Sequence, residues 1–426
     1  MSVERADESV QRERCLSAGS VEAMDRDELL TLLTPDAMRL LDELPPLVEG
    51  HDVVALVSRL RAEGHSPELV AAVLTQANFR RKAAAKFGPF AARMLFTDAG
   101  LQQATRLQVA AHHAARFRAT GVTKIADLGC GIGADSMAFA TLGFDVRSLD
   151  ADEVTAAIAT HNLAVFPNAE VFHGTAEAFA LEEGEAAWLD PARRHTERSR
   201  DRRSHNPADW SPSLDFAFGL GDDRPIGVKL GPGIPHEALP SDGEAQWVSV
   251  GGDVVEATVW RGGTEREGVG RSALLLPRGE GPAHELTASG PAPDAELGPL
   301  GEYLHEPDGA VIRAELIGLV AAELEGRMIS PSIAWITNDS PATSPFVQSF
   351  RVLEELPLDA AKLKRELRSR GIGRVEIKKR GVDVNPAAFR QRLQPKGDGE
   401  ATLILTRIGE RRRAILAERT TPVSAA

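Results

Sequence analysis

The sequence predicts an α/β protein with helices first, a mostly parallel sheet in the middle and a smaller α+β module at the end. Three observations carry this expectation. Up to about residue 120, apolar positions recur at helical spacing behind helix-start residues; from 124, short apolar runs alternate with helical stretches; past 301, one helical stretch leads into short strands.

In the first region Thr34-Pro35 precedes Met38, Leu40, Leu41 and Leu44, Asp52 precedes Val53, Leu56, Val57 and Leu60, and Ser66-Pro67 precedes Leu69, Val70 and Val73. Each opens with a short polar side chain that can accept from a first-turn N–H, which is how helices begin. The pattern then changes. Strands are expected at 124–128, 145–149, 170–173, 186–189 and 227–230, with helices at 135–142 and 153–165, an order that requires right-handed crossovers and a parallel sheet. Runs at 246–250, 254–260 and 272–276, joined by glycine turns, are expected as antiparallel additions at its edge. Residues 279–301, rich in Gly, Pro and Ala, are the candidate linker. After it come a helix at 311–325 and strands at 332–336, 374–378 and 401–407. This divides the chain into a helical region (1–118), a sheet domain (119–300) and a C-terminal module (301–426).

At 426 residues the chain can bury sizeable cores without staples, and its two cysteines, Cys15 and Cys130, form no metal or redox pair. The charged N-terminus and the lack of a long apolar run lead us to expect a cytoplasmic protein off the membrane. Acids outnumber bases 62 to 49, a net charge of −13, which argues against a surface that coats nucleic acid throughout. One segment opposes the trend. Lys362 to Lys396 holds twelve Lys or Arg against three acids.

The chemistry centres on ADLGCGIGAD, Ala126–Asp135, a glycine-rich loop between a strand and a helix, with Asp150 at the end of the next strand. Gly129-Cys130-Gly131-Ile132-Gly133-Ala134 satisfies the dinucleotide fingerprint, weak evidence alone. Asp127 argues otherwise, since a carboxylate at the loop mouth repels a pyrophosphate and attracts an ammonium group. S-adenosylmethionine suits both acids: a cationic amino-acid end near Asp127 and ribose hydroxyls near Asp150. With that expectation, D-L-G-C-G-I-G at 127–133 and S-L-D at 148–150 resemble motifs I and II of the class I S-adenosylmethionine-dependent methyltransferases, implying a Rossmann-like sheet. Gly129, Cys130, Gly131 and Gly133 are then cofactor-binding candidates beside the two acids. Gly174-Thr175-Ala176-Glu177 resembles the adenine-side segment, with Thr175 where an acid commonly stands; Ala176 and Glu177 join the candidates, although Glu177 fits a helix-start carboxylate equally well.

At the end of the fourth strand, Asp190-Pro191-Ala192-Arg193 resembles the fourth motif of nucleic-acid methyltransferases, with Ala192 in place of a second proline and Arg193 in place of a stacking aromatic. Asp190, Pro191 and Arg193 are the catalytic candidates, Asp190 as acceptor of a hydrogen bond from an exocyclic amine. Neither cysteine is placed to serve as the nucleophile that methylation of pyrimidine carbon requires, so nitrogen is the expected target. Arg193, Arg194, Arg198, Arg200, Arg202 and Arg203 form either a phosphate-contacting or a merely solvated loop. Trp210 is either a stacking platform or packing, and Lys229 either faces the crevice or sits at a strand edge. His112 and His113 are read as helix surface, and no metal motif is present.

Residues 373–407 resemble the THUMP-like domain that follows methyltransferase domains in bacterial proteins, and 94–117 resemble the run preceding motif I in the same family. THUMP domains serve tRNA-modifying enzymes, so the resemblance implies RNA, tRNA among them. Lys378, Lys379 and Arg380 are the expected phosphate contacts, unless they simply end a charged strand. Rival readings are a methyltransferase of small molecules or proteins, and a cofactor- or RNA-binding protein without catalysis.

Overall fold

The computed structural model describes residue 24 and residues 26–45, 53–193 and 210–420. The chain forms two compact units, Met1–Val228 with Gly262–Thr264, and Lys229–Arg261 with Glu265–Ala426.

The first unit begins with helices Arg26–Leu32 (α1), Pro35–Glu43 (α2), Val53–Ala62 (α3), Pro67–Phe87 (α4), Asp98–Gln103 (α5) and Leu107–Ala119 (α6). Thr34 and Ser66 cap α2 and α4, each hydroxyl accepting from the N–H three residues on at 3.3 and 3.2 Å. Asp52 lies outside the described residues. Strands Lys124–Leu128 (β1), Asp145–Asp150 (β2), Ala169–His173 (β3) and Ala186–Leu189 (β4) follow, with helices Ala134–Thr141 (α7) after β1 and Glu153–Leu163 (α8) after β2. Within this unit the parallel order runs β4-β1-β2-β3, and Ile226–Leu230 (β7) adds to β4, also parallel. The chain therefore turns to one side of β1 for β2 and to the other for β4. That reversal opens a crevice at the carboxyl ends of β1 and β4, where ligands of such sheets bind. The N-terminal helices are not a free appendage: Leu32, Leu41, Val73 and Phe87 share one core with Ile132 of the glycine loop, Met137 of α7 and Ile158 of α8.

In the second unit Glu244–Val250 (β8) and Asp253–Arg261 (β9) form an antiparallel hairpin turning at Gly251 and Gly252. Arg271–Leu276 (β10) corrects the sequence expectation, since it pairs with β8 in parallel. Two reversals, one into β9 and one out of it, restore the original direction, and the segment after β9 is long enough to carry the chain past β8. His284–Ala288 (β11), within the candidate linker, pairs antiparallel with β10. It is a one-sided edge strand, half-buried and exposed residues alternating, so its order comes from β10 more than from its own apolar content.

A second, seven-stranded sheet has the order β13-β14-β12-β15-β18-β17-β16. Its members are Tyr303–Pro307 (β12), Arg327–Met328 (β13), Ile336–Asn338 (β14), Val347–Pro357 (β15), Ile372–Lys379 (β16), Gly399–Ile408 (β17) and Arg411–Arg419 (β18). The helix expected at 311–325 is two short ones, Gly309–Arg313 and Ile317–Glu323, separated by Glu315 at φ 59°. Two further helices, here α12 (Ala360–Ser369) and α13 (Pro386–Leu393), bury Leu363, Leu367, Phe389 and Leu393 against Val375, Leu403 and Leu405 of this sheet. Among the described residues no helix is long and apolar enough to cross a membrane.

Candidate active site

The glycine loop leaves β1 and enters α7 through three left-handed residues, Gly129 at φ 101°, Gly131 at φ 55° and Gly133 at φ 90°. Two have different neighbours. A Cβ on Gly129 would stand 2.9 Å from the main-chain oxygen of Asp190, so only glycine lets the loop close on the end of β4; a Cβ on Gly131 would meet nothing within 4 Å, so this glycine borders open space. The Asp190 N–H donates to Leu128 O at 3.3 Å, which ties the two strand ends together.

The loop's N–H groups are directed inward. Gly129 and Cys130 donate to Leu149 O at 2.8 and 2.9 Å, Gly133 to Cys130 O at 2.9 Å, and Gly131 to Asp150 Oδ2 at 3.0 Å. A pyrophosphate binds such a loop through free N–H donors; four of them here are committed to the protein's own oxygens. The donor set therefore fits a ligand without phosphate. Asp150 also accepts from Asp152 N at 2.9 Å, and each carboxylate oxygen keeps a lone pair for a ligand hydroxyl. Burial holds its pKa above the usual carboxylate value, partly offset by those two backbone donors.

Asp127 is 1 % exposed, and Ser136 of α7 donates its hydroxyl to Oδ2, with Ser148 Oγ 2.8 Å from Ser136 Oγ. Cys130 is buried and its thiol is pushed well above its ordinary pKa, first by desolvation and then by the fields of Asp127 and Asp150, so it stays an unreactive thiol. Ala176 is buried and Glu177 exposed in a short 3₁₀ turn after β3.

At the end of β4, Asp190 is half-buried and Pro191 buried. Ala192–Arg193 (β5) pairs antiparallel with Trp210–Ser211 (β6), and the segment between them is numbered 194–209. That segment, with Arg194, Arg198, Arg200, Arg202 and Arg203, lies outside the described residues, as does Cys15. Trp210 is 5 % exposed, which makes it packing and not a stacking platform. Lys229 is half-buried on β7.

Several residues that hold the loop escaped the sequence reading. Asn162 of α8 donates to Ile132 O at 2.9 Å and Leu95 O at 3.1 Å and accepts from Leu95 N at 2.8 Å, joining loop, helix and the buried strap 94–97. Gln76 holds the same strap through both its amide atoms on Phe96. Asp135, buried in the first turn of α7, accepts from Thr105 Oγ1 at 2.7 Å and lies 2.8 Å from His113 Nδ1. His113 thus corrects the surface expectation: it is 1 % exposed and its ring lies tilted 4.2 Å from that of Trp188, while His112 is exposed. Its spacing of four from both Val109 and Phe117, on the buried stripe of α6, was the available signal.

The C-terminal candidates separate. Lys378 Nζ bonds Glu306 at 2.6 Å and lies over the Phe350 ring; Arg380 is 3.6 Å from the same carboxylate and over Trp335; Lys379 is exposed.

Residues 347–419 match the THUMP domain-like family, and 25–83 a domain of unknown function, DUF8688. Two uncharacterized S-adenosylmethionine-dependent methyltransferases of Mycobacterium tuberculosis, from strains CDC 1551 and H37Rv, are each 34 % identical over 82 % of this chain and 95 % of their own. A solved chain from Porphyromonas gingivalis W83, described as a methyltransferase, shares the fold with a TM-score of 0.64 at 20 % identity, over 94 % of this chain and all of that one.

Proposed function

The chain belongs to the S-adenosylmethionine-dependent methyltransferases, and on that premise we propose that it methylates a base nitrogen in structured RNA, with tRNA the first candidate. The carrying observation is the meeting of Asp190 with the glycine loop: a half-buried carboxylate at the end of β4, its main chain in contact with Gly129 and tied to Leu128. Acceptor-orienting and cofactor-holding groups are in this way set against each other by backbone.

S-adenosylmethionine, when bound, supplies an electrophilic methyl on a sulfonium. The chain supplies the rest. Gly129, Cys130, Gly131 and Gly133 shape the loop that would hold the cofactor, and Asp150 would take ribose hydroxyls. Asp127, buried where screening is weak, would supply negative charge for the amino-acid end. Ala176 and Glu177 would serve the adenine. Asp190 accepts an N–H of the target amine, which orients the nitrogen lone pair, while Pro191 fixes the chain without adding a donor, and Arg193 remains the third catalytic candidate of this motif. The protonated Cys130 supports nitrogen over a cysteine-assisted carbon target. The reading places the enzyme in the cytoplasm.

A small-molecule or protein substrate is the second reading, favoured by the missing aromatic at 193 and the burial of Trp210; cofactor binding without turnover is the third. The test incubates the full chain with radiolabelled cofactor and total RNA from a strain lacking the gene. Label enters RNA with the wild type, and Asp190→Ala abolishes it while S-adenosylhomocysteine affinity stays within about threefold. Unlabelled RNA alongside a labelled protein or metabolite would refute the RNA reading, and a parallel loss of affinity would make Asp190 a cofactor residue.

A further inference from the structure

Eleven of the twelve cations between Lys362 and Lys396 divide by what they touch; the twelfth, Lys379, is exposed at the strand end. Arg370 pairs with Glu354 and Glu366, Arg374 with Glu400, and Lys378 and Arg380 with Glu306; Lys364 donates to Gln394. These hold the sheet and its helices together. A second set does no such work. Lys362, Arg365 and Arg368 on α12, Arg390 and Arg392 on α13, and Lys396 just beyond it are exposed, and none has a carboxylate partner among the described residues.

Geometry gathers this second set. Each helix buries one i, i+4 pair, Leu363 with Leu367 and Phe389 with Leu393, into the same face of the sheet, so Lys362, Arg365 and Arg368 turn outward together on α12, while Arg390 and Arg392, two residues apart, flank α13 on either side. The acid within these helices, Glu366, is already bonded to Arg370 at 2.7 Å, and Asp359 is spent capping α12 through Lys362 N at 2.8 Å. Arg390 borders a cleft that also holds Glu376, Glu400 and Glu418, but the outward cations of α12 have no carboxylate partner among the described residues, and such a face in a chain of net charge −13 draws polyanions selectively to itself.

We propose that the outer face of α12 and α13, and not the Lys378–Arg380 strand end, is the surface that docks the phosphate backbone of RNA; this rests on the RNA reading above. A membrane surface fits less well, because interfacial helices insert large apolar side chains and the exposed ones, such as Val54, Phe90, Val165 and Leu297, all lie off these two helices. Exposed guanidinium groups suit phosphates, to which they bond in pairs.

The test measures full-length protein binding fluorescein-labelled bulk bacterial tRNA by anisotropy from 50 to 200 mM KCl, with folding checked by thermal melting. Lys362→Gln/Arg365→Gln/Arg368→Gln is expected to weaken binding at least tenfold at low salt and to flatten the log K against log salt slope by about 2 to 3, at roughly 0.7–0.9 per lost contact. Arg390→Gln/Arg392→Gln should flatten it by about 2 on the same scale, and Lys378→Gln should leave it unchanged. Wild-type affinity and slope in both helix variants would overturn the surface, and if labelling of RNA persisted the RNA reading would stand without it. Absence of both tRNA binding and RNA labelling in the wild type would overturn both. Phosphatidylglycerol vesicles bound through these residues in place of tRNA would make the surface a membrane site and sink the inference.

Discussion

Around the glycine loop of the first unit, polar side chains are buried and hydrogen-bonded: Asn162 spans the backbone of Leu95 and Ile132, Gln76 that of Phe96, and Asp135 gathers the side chains of Thr105 and His113. On the C-terminal sheet charged side chains pair at the surface, as Arg351 does with Glu418 and Arg419 with Glu376, over an apolar core of Leu403, Leu405 and Leu416. A buried side chain bonded to main chain dictates where that main chain runs, because leaving either partner alone costs about 1–3 kcal/mol. An exposed ion pair dictates little, at about 0–1 kcal/mol. The first region is built to hold one geometry, the second to present charge.

That contrast breaks first at Asn162. Asn162→Leu strands the Leu95 N–H and carbonyl and the Ile132 carbonyl, and should cost about 3 kcal/mol or more in urea denaturation, with loss of S-adenosylhomocysteine binding. An unchanged midpoint would show that the loop needs no such mount.

The loop glycines sharpen it. Gly129→Ala combines a left-handed φ with a Cβ against Asp190 O and should cost about 1–3 kcal/mol together with at least tenfold in S-adenosylhomocysteine affinity by calorimetry. Gly131→Ala, facing open space, should cost about 1 kcal/mol of stability yet weaken the same binding as much. Equal stability losses would remove the distinction between a closing glycine and a ligand-facing one.

The smallest effect is electrostatic and lies in the second sheet. His305, buried between Ser349 Oγ at 2.8 Å and Asn338 Oδ1 at 3.1 Å, has its pKa lowered below 6.5, chiefly by desolvation. The unfolded chain then takes up a proton that the folded chain refuses, so stability falls as pH drops below about 6.5, by at most about 1.4 kcal/mol per pH unit for one group. His161, lowered for the same reason, adds with the same sign. His305→Gln should flatten the fall between pH 6.5 and 5, read by urea midpoints; an unchanged profile would assign it to other groups.

Much of the site was readable in one dimension because its parts are local. A glycine loop needs consecutive residues, a capping hydroxyl acts three residues away, and Asp150 ends the strand after the loop, so Asp127, Gly129, Gly131 and Asp150 could be found by spacing. Thr34 and Ser66 were found the same way. The mount was not, since Asn162 acts on Leu95 across 67 positions, and Lys378 meets Glu306 across 72. Strands such as β12, β15 and β18 were missed for a related reason: interleaved polar and charged residues blur the period of two, and only pairing with neighbours on both sides makes them strands.

The order of residues by itself determined the strand-loop-helix proposed to receive the cofactor, the helix starts and the excess of positive charge near the C-terminus. Tertiary structure alone decided that β10 runs parallel to β8, that His113 lies inside, and which cations near the C-terminus pair with carboxylates. The physical reason is range: backbone conformation and capping are settled by neighbours in the chain, whereas burial and charge pairing depend on groups that only folding brings within a few ångströms.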